Sequence, residues 1–337
     1  MDTRLEPLIL SEGEIRKTVD MAASIEAVEE AFAAFSRGEA RIPGVLFLDI
    51  TEANGDVHLK GAHIKGDPFY VFKVASGFYD NPAKGLPVTA GLSMAFDATT
   101  GQLAAILVDN GYLTYVRTGA AGAVAARYLA KEQLAVVGVV GAGLAAAFQL
   151  RALRIVRAFT EVRVWSLVPE LAEQMAEELS EEIGARFVLV DSARSAVEGA
   201  DLVITATPSR APIVQPDWLA PGVHVTAMGA DAPVKQELYP EVMVRADLLV
   251  ADHLSHCLTD GEIHHAVQAG LIDAEGSGIV ELGDIVVGKA SGRSRDDQIT
   301  VADLTGVGIQ DVAIAKVSLA RARALGLGSR LTMDRPG

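Results

Sequence analysis

Apolar positions recur at two spacings along this chain, and the change between them outlines two architectures. From Ala22 to Ser36, the residues Ile25, Val28, Phe32 and Phe35 fall at helical spacing and predict an amphipathic helix. Five strand-like runs follow: Gly44–Ile50, Val57–His63, Phe69–Lys73, Thr89–Phe96 and Leu103–Asp109. Turn signals such as Ala53-Asn54-Gly55-Asp56 and Asp80-Asn81-Pro82 separate them. The first segment therefore reads as a mixed α+β lobe without strand–helix–strand rhythm. Arg117–Ala130 then reads as a helix of small residues.

The pattern changes at Leu134–Leu150, LAVVGVVGAGLAAAFQL: an apolar strand, a glycine turn and a small-residue helix. The turn, Gly141-x-Gly143-x-x-Ala146, fits the dinucleotide-binding fingerprint with alanine in third place. Gly141 permits the tight turn, Gly143 lets a pyrophosphate approach bare backbone, and Ala146 allows close helix–strand packing. The helix N-terminus offers N–H groups to the phosphates. Strand EVRVW from Glu161, helix Pro169–Ile183, strand Phe187–Val190, a short helix ending at Gly199-Ala200-Asp201, and strands Leu202–Thr205 and Val223–Met228 continue the alternation. The expected fold is α/β: a central Rossmann-type doubly wound parallel sheet plus an α+β lobe built from the N-terminal segment and the C-terminal helix. After a polar linker, Ser291–Asp297, the strand Ile299–Val301 and the helix Ile309–Leu325 are expected to return to that lobe. The expected division is 1–116 with 300–337 for the lobe, and 117–299 for the NAD(P)-binding domain.

With 337 residues, half of them hydrophobic, the chain can bury a large core and is expected to hold two domains. The formal charge of −15 disfavours nucleic acid and anionic membrane as partners, because both demand a basic surface. A single cysteine, Cys257, excludes an internal disulfide and fits a reducing, cytoplasmic setting. No signal-peptide pattern or membrane-length apolar run is apparent.

A nicotinamide enzyme needs a carboxylate anchor and a proton carrier beside the reacting carbon. Three charged residues stand in apolar or small-residue surroundings, where charge is costly unless used or paired: Lys73 in FYVFKVASG, Arg117 in YVRTGAAGAVAA and Asp231 after HVTAMGA. Two cations and an acid fit a carboxylate clamp and a proton carrier; structural ion pairs are the alternative. His253, His256, His264 and His265 cluster near Cys257, but their spacing matches neither a paired-cysteine site nor HExxH, so no metal is expected. Asp260 is expected to cap the Gly261–Ala269 helix.

The runs FKVASGFYDNP, DNGYLTYVRTGAAGAVAARYLA, GAGLAAAFQL, TATPS, MGAD, ELGDIVVGK and LTGVGIQDVAIAK, in this order, resemble the ornithine cyclodeaminase/μ-crystallin family. The resemblance spans about Leu8 to Leu325. One stretch looks most like members encoded with ectoine degradation, and GVGIQD looks like iminosuccinate-reducing members. The resemblance implies a homodimer acting on a small imino or amino acid. It implies that Lys73 and Arg117 bind the substrate carboxylate and that Asp231 handles protons at the reacting nitrogen. His58 and Lys60, on one face of their strand, are expected to assist substrate binding. Gly141, Gly143, Leu144, Ser166, Thr205, Thr207, Met228 and Gly229 are expected to bind the cofactor.

The departures carry information. His58 stands where cyclodeaminases carry an acid, Phe47 takes the place of an arginine, and Ala145 replaces the glycine-loop glutamine. At the end of the second nucleotide strand, Trp165-Ser166-Leu167-Val168 offers neither an acid for a ribose 2′-hydroxyl nor an arginine for a 2′-phosphate. The missing acid leans the expectation toward NADPH. The leading expectation is an NAD(P)H-dependent reductase of an α-imino acid, or the reverse amino-acid dehydrogenase. A cyclodeaminase using catalytic NAD and a non-catalytic dinucleotide-binding protein are the rivals.

Overall fold

Lys73 alternates with Phe72 and Val74 along one strand, and that alternation decides which side of the first sheet is covered. The computed structural model describes residues 6–332. The chain divides into two units, Met1–Arg117 with Val307–Gly337, and Thr118–Gly306.

The first unit contains β1 (Leu8–Ser11), β2 (Ala40–Arg41), β3 (Leu46–Ile50), β4 (Gly55–Ile64), β5 (Phe69–Phe78), β6 (Thr89–Asp97) and β7 (Leu103–Val108). Strands β4 to β7 form an antiparallel meander, β1 joins β7 in parallel, and β2 and β3 both pair with β4. The helix Gly308–Leu325 packs on β4, β5 and the helix Met21–Ser36. Its first turn lies so close to β4 that a Cβ on Gly308 would stand 2.2 Å from the carbonyl oxygen of Gly61. Only a bare backbone fits there. This close seat brings Gln310 and Asp311 onto the Lys73 face. The opposite face carries Phe72, Leu46, Leu48 and Val108, all exposed.

The second unit contains β8 (Val136–Val140), β9 (Glu161–Trp165), β10 (Arg186–Leu189), β11 (Leu202–Thr205), β12 (Arg210–Val214), β13 (His224–Ala227), β14 (Gln236–Leu238), β15 (Leu248–Ala251), β16 (Val280–Glu281) and β17 (Thr300–Asp303). Its main sheet runs β10-β9-β8-β11-β13-β17-β15-β16, with every neighbouring pair parallel. The first five strands have the 3-2-1-4-5 order of a Rossmann sheet, with its switch point between β8 and β11. Strands β12 and β14 form a separate parallel pair. The last strand, β18 (Ser329–Arg330), closes the first unit's sheet beside β1.

The expected boundary at 299/300 is corrected to 306/307. Strand β17 does not return to the lobe; it lies between β13 and β15 of the parallel sheet, with Thr300 opposite His224. Buried Thr300 also faces His224 Nδ1 at 2.9 Å, so the strand is tied into that sheet by side chains as well. The earlier boundary moves by one residue, to 117/118. Among the described residues, no helix is long and apolar enough to cross a membrane.

Candidate active site

In the first unit, β4 and β5 place Lys60 directly opposite Lys73, and β6 adds Ser93 opposite Lys73 on its other side. Directly opposed residues point to one face, so these side chains and His58 share the face covered by Gly308–Leu325. Lys73 Nζ donates to Asp311 Oδ1 at 2.9 Å. Arg117 Nε lies 3.6 Å from the same oxygen, and Arg117 Nη1 donates to Gln310 Oε1 at 3.1 Å. The structure thus brings Lys73 and Arg117 together around a carboxylate that sequence reasoning missed. The signal was present: Gln310 and Asp311 interrupt the apolar run GVGIQDVAIA, the same criterion that singled out Lys73.

The cluster is buried, with Lys73 only 2% exposed. Burial lowers the Lys73 ammonium to about 8, the charges of Arg117 and Lys60 push it the same way, and Asp311 partly opposes them. Arg117 Nε, Asp311 Oδ2 and Gln310 Nε2 are buried and make no hydrogen bond to any described residue. Unsatisfied charged and amide atoms in a core cost free energy, so their convergence points to a polar ligand. Asp109 is nearby and buried; burial raises its carboxyl, while the Leu113 N–H (2.8 Å) and Lys73 pull it down.

His58 is buried against Phe47, with ring centroids 5.0 Å apart, and neither ring nitrogen hydrogen-bonds to a described residue. Its Nε2 lies 3.5 Å from Asp56 Oδ1. Asp56, two residues earlier on the same strand face, also accepts the Tyr79 O–H at 3.0 Å. The strand therefore keeps an acid, displaced by one alternation from His58, which sequence reasoning passed over.

In the second unit, Gly141 adopts φ +105°, and a Cβ there would strike Ala206 O at 2.6 Å and Thr207 Cγ2 at 2.8 Å. Gly143 differs: a Cβ on it would meet nothing within 4 Å. The backbone at the start of helix Leu144–Val156 is thus open on the side where a pyrophosphate would lie, and Leu144 is exposed. The residues present fit a dinucleotide. Ser166 Oγ accepts the Val168 N–H at 3.2 Å, which leaves its O–H to donate.

At the other side of the switch point, Thr205 is fully buried and its hydroxyl donates to Glu237 Oε2 at 2.7 Å. Glu237 also accepts the N–H groups of Thr207 (2.5 Å) and Gly229 (2.8 Å). Met228 is buried beside Gly229. Asp231 follows on the same loop and pairs with Lys235 Nζ at 2.8 Å. Glu237 and Lys235 were not anticipated, because a polar KQEL segment reads as surface.

The histidines serve the loops around them. His253 Nδ1 faces Glu281 Oε1 at 3.1 Å, His264 Nδ1 faces Leu258 O at 3.1 Å, and His265 Nε2 faces Lys235 O at 2.8 Å. Asp260 does occupy the N-cap position of Gly261–Gln268, but its side chain caps nothing; Thr259 donates to it instead. Gly261, at φ +79°, turns the chain away, and Asp303 Oδ2 takes the Ile263 N–H.

The chain matches the ornithine cyclodeaminase/mu-crystallin family over residues 5–325. It is 44% identical to an uncharacterized cyclodeaminase of Sinorhizobium fredii, over 95% of this chain and 97% of that protein. It is 37% identical to the alanine dehydrogenase of Archaeoglobus fulgidus, over 98% and 100%. An archaeal alanine dehydrogenase dimer with bound NAD superposes with a TM-score of 0.90 at 35% identity, covering 98% of this chain and 100% of that one. The Thermococcus litoralis Δ1-pyrroline-2-carboxylate reductase in complex with NADH and L-proline gives 0.91 at 32% identity, over 96% and 99%. Sequence and fold agree along nearly the whole length, and the chain belongs to the ornithine cyclodeaminase/mu-crystallin family.

Proposed function

We propose that this chain is a nicotinamide-dependent oxidoreductase that reduces an α-imino acid to the amino acid, or runs the reverse dehydrogenation. The observation that carries the reading is the buried pair Lys73 and Arg117, converging on Asp311 with polar atoms still unsatisfied. A bidentate guanidinium and an ammonium suit a substrate carboxylate. Such a clamp fixes the α-carbon, converting much of the orientation cost into binding. Asp231 holds or releases the proton at the substrate nitrogen and is held by Lys235 Nζ at 2.8 Å. Bound NADH supplies the hydride. Gly141, Gly143 and the N-terminus of Leu144–Val156 hold its pyrophosphate, and Ser166 donates to the adenosine ribose. No cation stands in Trp165-Ser166-Leu167-Val168 for a 2′-phosphate, and the two superposed relatives hold NAD or NADH. These two facts favour NADH and replace the lean toward NADPH.

The active form is a homodimer, joined through the open face of the first unit's sheet. That face presents Leu46, Leu48, Phe72 and Val108 to solvent, each more than a third exposed, and exposed apolar faces mark interaction sites. The archaeal alanine dehydrogenase is itself a dimer.

Following NADH oxidation with 2-oxo acids plus ammonium or methylamine tests the activity. One productive pair is expected, and its turnover should fall by about two to four decades in Lys73→Ala and Arg117→Ala. Near-normal kcat/KM in either variant would remove that residue from the clamp.

A further inference from the structure

One fully buried acid in the second unit has no part in the clamp, the glycine loop or the proton transfer. Glu237, at the middle of β14, is 0% exposed. Its side chain gathers three donors from two separate loops: the Thr205 hydroxyl and Thr207 N–H at the end of β11, and the Gly229 N–H just after β13. Its own backbone is held in turn by a second buried acid. Glu262 accepts the N–H groups of Glu237 and Leu238 at 2.7 and 3.0 Å. The fit is tight, since a Cβ on Gly229 would stand 2.5 Å from Glu237 Cδ.

Strands β11 and β13 lie on the side of the switch point away from β9. In a Rossmann sheet the adenosine ribose sits at the end of the second strand, here β9, so the nicotinamide half falls to β11 and β13. We propose that Glu237 is a positioning residue for the nicotinamide end of the cofactor. One carboxyl group clasps the two loops that floor that end, and the same clasp fixes the root of the Asp231 loop. The inference rests on the dinucleotide reading above. Burying an acid is costly, and here donors drawn from the two loops offset that cost. A carboxyl group whose only task was packing could be replaced by an apolar side chain; three donors from two loops need both of its oxygens.

The test compares NADH with ADP-ribose, which keeps the adenosine, pyrophosphate and second ribose but lacks the nicotinamide. Binding is measured by calorimetry on the full chain. In Glu237→Gln the amide can still accept from Thr205 and Gly229 but turns an NH2 toward the Thr207 N–H. The NADH dissociation constant should rise by roughly tenfold, while that of ADP-ribose stays within about twofold. Thr205→Val, nearly isosteric, removes one donor to the same carboxyl and should move NADH in the same direction, with Thr205→Ser restoring it. This pair carries the test alone if Glu237→Gln does not fold. Unchanged NADH affinity in Glu237→Gln or Thr205→Val, or an equal loss for both ligands, overturns the proposal in favour of a purely structural acid. Gly143→Asp separates the two levels of inference, because it should abolish both ligands by placing a carboxylate against the pyrophosphate. If it binds NADH normally, the dinucleotide reading fails; if it fails to bind while Glu237→Gln is unaffected, only the positioning role is lost.

Discussion

Lys73 and Asp311 form a buried ion pair 2.9 Å long between residues 238 positions apart in sequence. Each is 3% exposed in its side chain, so neither charge is solvated by bulk water. The pair fastens the helix Gly308–Leu325 to β5 and, in the proposed clamp, sets the cation offered to the substrate carboxylate.

Asp311→Asn should therefore be costly before any substrate is added. Removing one partner of a buried pair leaves an uncompensated charge, typically worth about 3–5 kcal/mol. Arg117 beside it adds a second cation without its counter-charge. Urea unfolding should show a loss near the lower end of that range, since Asn retains one acceptor. A loss below about 1 kcal/mol, the scale of a solvated surface pair, would mean that the cluster is hydrated.

The depressed Lys73 ammonium gives a pH signature. Burial, then Arg117 and Lys60, bring it to about 8 from an ordinary 10.5. The free enzyme loses this charge as pH rises through about 8, so kcat/KM for the carboxylate substrate should descend on the alkaline side with a midpoint near there. Stability moves the other way. Between about 8 and 10.5 the unfolded chain binds more protons at this group than the folded one, so the Lys73 contribution to folding stability rises with pH across that window. A kcat/KM profile level to pH 10 would show that Lys73 stays charged or takes no part in the clamp.

The two cations and the glycine loop were legible because each breaks a local rule: charge inside an apolar strand, or glycines at fixed offsets between a strand and a helix. Asp311 breaks the same rule, but its partner lies in another element, and spacing says nothing about contacts over such a distance. Strand β17 was assigned to the wrong unit for a related reason. The short run Ile299–Val301 suggests a strand, and only the tertiary fold says which sheet completes it. Glu237 was invisible for a third reason: KQEL has the composition of a solvated turn, and the Thr205 hydroxyl that it accepts is 32 positions upstream. Asp260 is the converse case, an N-cap read correctly by position and wrongly by contact, because Gly261 redirects the chain.

The open sheet face predicts a monomer-making substitution. Phe72 is 39% exposed and lies on the face opposite Lys73. Phe72→Asp buries a carboxylate in the interface of a dimer and is harmless in a monomer, where the site remains wet. Light scattering after size-exclusion chromatography should report a dimer for the parent chain and a monomer for the variant. Two dimers would place the interface elsewhere, and two monomers would overturn the homodimer.

The last prediction separates imine reduction from cyclodeaminase chemistry and turns on His58. A cyclodeaminase must hold a diamine whose distal nitrogen is cationic. Imidazole is neutral or cationic and supplies no negative charge for that group. On the same face, Asp56 is engaged by the Tyr79 O–H at 3.0 Å and faces His58 Nε2 at 3.5 Å. Asp49 opposite it accepts the Thr51 O–H, and Asp311 is already paired with Lys73. Lys60 and Lys73 add positive charge across β4 and β5. The face as a whole therefore disfavours a second ammonium and suits a neutral or anionic side chain. Ornithine and lysine with catalytic NAD⁺ should release no ammonia, while an imino acid should oxidise NADH stoichiometrically. Ammonia and proline assays run beside nicotinamide absorbance make the comparison. Proline appearing from ornithine at an ordinary enzymatic rate would overturn this reading and restore the cyclodeaminase.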